Sequence, residues 1–105
     1  MSWILIDSER ASASAGLAED RKGFQEKCVQ TGIDCHILER RAIENYFPDA
    51  AVKKALGQNF AALGQFDPLS AVSNRWSKRD NWRIAREMRL ADLEKTDLGE
   101  FLKRI

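Results

Sequence analysis

The stretch WILIDSER, residues 3–10, decides the fold. Trp3, Ile4, Leu5 and Ile6 make a short, nearly continuous, β-rich apolar run, which suits a strand covered on both faces. Side chains on a strand alternate, so Asp7 and Glu9 are expected to point the same way at its C-terminal end. Open α/β sheets bind ligands at that end. Two carboxylates converging there repel each other unless a cation such as Mg²⁺ sits between them. The plainer reading is an acidic turn that stops the strand and begins a solvated loop.

Working outward, ASASAGLAEDRKG reads first as a loop and then as a helix with Leu17, Phe24, Cys28 and Val29 at near-helical spacing. Gly32 stands where a terminating glycine belongs. IDCHIL, residues 33–38, predicts a second strand with His36 packed in the core. Strand, helix and strand in this space make a βαβ unit with a right-handed parallel crossover. Pro48 suits the first position of a helix running through Val52, Ala55 and Leu56 to Gly57. Residues 57–74 hold two glycines and a proline and predict irregular structure with a helical turn at most. Ser77 and Asp80 offer a cap and its acid for a helix with Ile84, Ala85 and Met88 inward. Thr96 caps a last helix whose Leu98, Phe101, Leu102 and Ile105 form one apolar face. The expected class is α/β, a short parallel sheet flanked by helices: a βαβ core over residues 1–56 and a mostly helical extension over 57–105.

At 105 residues the chain has room for one domain with a real core. Its 17 basic and 16 acidic residues leave a net charge of +1, so no global field draws in nucleic acid and any such binding must come from local patches. No apolar run approaches the ~20 residues of a membrane-spanning helix, and the chain starts almost directly in strand without a signal peptide. Cys28 and Cys35 read as reduced packing thiols, and a cytoplasmic location is expected. A single histidine and no closely spaced cysteine pair argue against zinc.

Two strings carry candidate chemistry. LERRAIENYF, residues 38–47, follows the second strand and so lies on the same side of the sheet as Asp7 and Glu9. Arg40 and Arg41 suit bidentate contacts to phosphate, or else pair with Glu39 and Glu44 at the surface. The structural alternative for the string is a helix entry, with Asn45 as cap and Ile43, Tyr46 and Phe47 packed beneath it. The second string, NRWSKRDNWRIAREMR, residues 74–89, interleaves Trp76 and Trp82 with Arg75, Lys78, Arg79, Arg83, Arg86 and Arg89. Basic residues among aromatics suit a nucleic-acid surface. Arg79, Arg83 and Arg86 equally form the polar face of an amphipathic helix.

An apolar strand ending in an acid-x-acid pair, then a helix, a second strand and ERRAIENYF, resembles the later half of a TOPRIM domain. The likeness is to OLD-family nucleases and related ATPase-linked phage-defence proteins, and it spans residues 3–56, with a weaker extension to Lys78. The resemblance implies that Asp7 and Glu9 bind Mg²⁺ or Mn²⁺, that Glu44 is a further metal ligand or its support, and that Lys78 assists phosphodiester chemistry. Nucleic-acid contacts are expected from Arg40 and Arg41 beside the site and from Arg79 and Arg83 in the basic string, with DNA favoured over RNA, and the resemblance also implies an ATPase partner or upstream domain. Two departures stand out. Glu9 replaces the family's usual second aspartate, and the family's essential glutamate on an earlier strand has no counterpart here, as in a fragment or remnant. The expected function is metal-dependent phosphodiester hydrolysis. The alternative is a non-catalytic interaction module derived from such a domain. A sheet lacking its first strands also leaves an open edge, from which a homo-oligomer is expected.

Overall fold

The computed structural model describes residues 2–72 and 75–105; Asn74, which opens the second basic string, lies outside them. Strand β1 (Trp3–Ile6) leads through a loop to helix α1 (Glu19–Thr31) and strand β2 (Asp34–Ile37). The strands pair in parallel with Trp3 opposite Asp34 and Ile6 opposite Ile37, which is the expected βαβ unit. A 3₁₀ turn (Ile43–Tyr46) follows, then α2 (Asp49–Leu56), α3 (Leu69–Val72), a 3₁₀ turn (Lys78–Asp80) leading into α4 (Asn81–Ala85), a 3₁₀ turn (Leu90–Leu93) and α5 (Asp97–Arg104). The molecule is therefore α/β, with a helical second half. No helix among the described residues is long and apolar enough to cross a membrane.

Local chemistry explains most boundaries. Gly32 closes α1 in the left-handed conformation (φ 76°), returning its N–H to the last carbonyls of the helix. Pro48 precedes α2 as its cap rather than its first residue, because its extended backbone (ψ 152°) leaves only its carbonyl to accept the first helical bond, from Val52. The Thr96 hydroxyl accepts the Gly99 N–H at 3.0 Å and opens α5.

The core divides into two clusters joined by Met88. One gathers Phe47, Val52, Leu63, Trp76 and Ile84; the other gathers Leu38, Tyr46, Leu93 and Leu98. Trp3 and His36 share the sheet face that meets α5, where Phe101 lies edge-on to Trp3 (5.8 Å) and stacked on His36 (4.9 Å).

Several expectations are corrected. The strands are not covered on both faces: Trp3 is 49% exposed, and α1 buries only Cys28, leaving Phe24 and Val29 exposed. Cys28 meets Cys35 on β2, and the burial there, with the neighbouring thiol, pushes Cys35 up to about 11. Ala85 is exposed, since α4 ends at that residue and turns only Ile84 fully inward; Met88 lies beyond its end but packs inward against both clusters. Ile105 lies past the end of α5 and is 51% exposed.

Candidate active site

Three remote segments meet at one cation. The Lys78 ammonium lies 3.2 Å from Asp7 Oδ2 and 3.2 Å from Glu44 Oε2. Each participant is placed by its own local structure. Asp7 is the first residue beyond β1, and its Oδ1 accepts the Ile43 backbone N–H at 3.1 Å, which fixes the carboxylate against the start of the IENY turn. Glu44, only 3% exposed, is held from the other side by Asn81, whose Nδ2 donates to Oε1 at 3.0 Å. Asn81 is itself anchored, because its Oδ1 accepts from Trp76 Nε1 at 3.0 Å. Lys78 opens the turn before α4, and Asp80 steadies that turn by accepting the Ser77 N–H at 3.0 Å.

Partial burial pulls the Lys78 pKa down, but hydrogen bonds and charge from Asp7 and Glu44 outweigh it and leave it above the ordinary lysine value. Lys78 therefore remains an ammonium at neutral pH. It is suited to neutralising an anion or donating a proton, and unsuited to acting as a base.

Glu9 does not stand beside Asp7 on one strand face. Strand β1 ends at Ile6, and Glu9 adopts a left-handed backbone (φ 59°) while its N–H bonds to the Arg41 carbonyl at 2.9 Å. Strand alternation therefore no longer governs its direction. Its carboxylate lies 3.6 Å from the Arg41 guanidinium, which also donates to the Glu9 carbonyl at 3.3 Å. Between them Ser8 is buried, with its hydroxyl donating to the Arg40 carbonyl at 2.8 Å. Glu9 and Arg41 still line the same hollow as Glu44 and Lys78, a cavity of about 360 Å³. Among the described residues no three His, Cys, Asp or Glu side chains cluster as a ready metal cage.

The arginines divide by role. Arg40 lies over the Tyr46 ring (4.8 Å) and donates to the Asn45 carbonyl at 3.1 Å, so it braces the turn. Arg41 faces the cavity with Glu9. Arg83 ties α4 to α2 through the Ala55 carbonyl (3.0 Å) while staying exposed, and Arg79 is exposed. Trp76 is buried against Phe47, whereas Trp82 is 61% exposed.

Sequence reading missed two residues, Asn81 and Asp97, and gave a third, Asn45, a different role. Asn81 has no signal beyond its place three residues after Lys78. Asn45 is not a cap for α2: buried, it accepts the Ala42 N–H and donates to the carbonyls of Gly64 and Asp67, clamping a distant loop. Asp97 joins both halves of the chain, taking hydrogen bonds from Tyr46 (2.5 Å) and the Glu39 N–H (3.0 Å) and pairing with His36 (2.8 Å). Burial and the Asp97 bond raise the Tyr46 phenol above its ordinary range.

Compared with protein-family models, curated proteins and solved structures, the chain matches none of them.

Proposed function

We propose that this chain carries the metal-binding part of a TOPRIM-like nuclease site, for divalent-metal-dependent hydrolysis of a nucleic-acid phosphodiester. The observation behind the reading is the meeting of Asp7, Glu44 and Lys78 from positions 71 and 34 residues apart. The two carboxylates converge on one point, now taken by an ammonium, and such a donor set fits a single Mg²⁺ or Mn²⁺ that keeps water and substrate phosphate as its other ligands. Asp7 and Glu44 would hold the ion, and Glu9 could join only by leaving Arg41. When bound, the ion supplies an activated water and charge stabilisation at phosphorus.

The chain's own groups do the rest. Lys78 moves from the carboxylates to a non-bridging phosphate oxygen, whose negative charge replaces theirs as its partner. Arg41, which lines the same cavity, grips a neighbouring phosphate. Asn81 holds the Glu44 carboxylate in orientation. A further carboxylate from an ATPase partner or an adjoining domain would complete the set that the resemblance implies. The edges of a two-stranded sheet offer such a partner, or a second copy, a place to pair.

A second reading, a non-catalytic interaction module, draws on the same cluster, since Lys78 already neutralises both acids without a metal. Backbone NMR during Mn²⁺ or Mg²⁺ titration separates the two. The nuclease reading expects weak binding at Asp7 and Glu44, abolished by Asp7→Ala and reduced by Glu44→Gln with the fold intact. Lys78→Ala should tighten the metal, by removing its competitor, yet abolish cleavage. Equal spectra for wild type and Asp7→Ala throughout the titration would sink the nuclease reading.

A further inference from the structure

Beside the charged cavity lies a second hollow of different chemistry, a groove of about 410 Å³ lined almost wholly by apolar side chains. Leu5, Ile43 and Leu98 line it, and Trp82 and Leu90 line its exposed side at 61% and 56% exposure. The groove and the cavity are neighbours through two bonds. Ile43 and Asn81 line the groove, and the same two residues donate to Asp7 and Glu44. A group lying in the groove is therefore one residue away from the Lys78 cluster.

We infer that this groove receives an unpaired base of single-stranded DNA, stacked on Trp82, while the adjoining phosphate lies at Lys78. The inference rests on the phosphodiester reading of the site and adds its substrate form. Three observations carry it. Trp82 offers an exposed ring already faced on one side by the Arg86 guanidinium at 5.0 Å, the pairing of aromatic and cation that binds bases and backbone together. Arg89 lines the groove and Arg86 lies over Trp82, so two cations border an apolar floor, complementary to a polyanion with flat apolar faces. The groove also has few polar groups besides Asn81 and Arg89. It lacks the donor and acceptor pattern needed to read a base edge or satisfy a ribose 2′-hydroxyl, which favours sequence-tolerant stacking of DNA. A base within a duplex keeps both faces stacked on its neighbours and cannot enter.

The test is fluorescence-anisotropy binding of labelled oligo(dT), oligo(rU) and a blunt DNA duplex in EDTA, so that no cleavage intervenes. Wild type should bind oligo(dT) more tightly than either other probe. Trp82→Ala should weaken oligo(dT) binding by about tenfold to a hundredfold, and Trp82→Phe should retain most of it. Because Trp82 is largely exposed, Trp82→Ala should melt near wild type. The comparison among probes on wild type stands even if that variant misfolds. Duplex or oligo(rU) bound as tightly as oligo(dT), or a folded Trp82→Ala that binds like wild type, would overturn the inference. Trp82-dependent binding of oligo(dT) with no Mn²⁺ or Mg²⁺ binding at Asp7 and Glu44 would refute the hydrolase reading and leave this one standing. Cleavage that ignores Trp82 and prefers duplex would do the reverse.

Discussion

Replacing Asn45 by alanine should cost far more than the loss of a helix cap. Asn45 is 2% exposed. Its Oδ1 accepts the Ala42 N–H at 3.0 Å, and its Nδ2 donates to the carbonyls of Gly64 at 2.7 Å and Asp67 at 2.8 Å. Ala42 is also 2% exposed, so its orphaned N–H finds no water, and a buried unsatisfied donor costs about 1–3 kcal/mol. Gly64 and Asp67 are exposed residues whose carbonyls can rehydrate, so each lost bond there costs nearer ~0.5 kcal/mol. The total is about 3 kcal/mol, against about 1 kcal/mol for a simple cap. In a domain of this size that should lower Tm by roughly 10–20 °C. Urea unfolding with calorimetry measures it. Asn45→Asp is the second variant: it keeps the acceptor for Ala42 but turns a carboxylate oxygen toward two carbonyls, so it should be at least as harmful at pH 7. A loss below about 1 kcal/mol for Asn45→Ala, with the urea slope unchanged, would refute the clamp.

Three further outcomes follow from the same structure. Gly99→Ala, which improves intrinsic helix propensity, should nevertheless destabilise by about 1–3 kcal/mol, because the added Cβ would meet the Leu93 carbonyl; a raised urea midpoint would contradict this. Burial pushes the Asp97 carboxyl up, but bonds from Tyr46, the Glu39 amide and His36 outweigh it and hold it below the usual carboxylate range. Its stabilisation is thus fully present above about pH 4 and lost as pH falls through the depressed value. A Tm-versus-pH profile should show this acid loss flattened in Asp97→Asn. Cys35, pushed up to about 11, should be alkylated by iodoacetamide at pH 8 about a hundredfold more slowly than a free thiol in peptide mapping, and equal rates would refute its burial against Cys28.

The parts of this fold that could be read in the sequence are those decided by neighbours in the chain. Trp3 to Ile6, the turn at Gly32 and the Thr96 cap each depend on a few adjacent residues, and each appears within a residue or two of its expected place. The helix face at Phe24 and Val29 stays exposed, because spacing gives a face its direction but not its partner. What covers a face depends on the layers available, and here α1 packs on β2 and buries only Cys28 of its own residues. The site divides in the same way. Asp7 could be read, because it follows the strand directly. Glu9 could not, since its direction is set by the bond from its own N–H to the carbonyl of Arg41, a residue on the far side of β2. That bond and the buried Ser8 turn a local acid-x-acid pattern into two separate ion clusters, Asp7 with Lys78 and Glu9 with Arg41. A metal that recruited both acids would have to break the Arg41 pair as well as displace Lys78, and Arg41→Ala should therefore raise Mn²⁺ affinity only if Glu9 is a ligand. Unchanged affinity in Arg41→Ala, alongside a rise in Lys78→Ala, would assign the ion to Asp7 and Glu44 and leave Glu9 as part of the loop that carries Arg41 to the cavity.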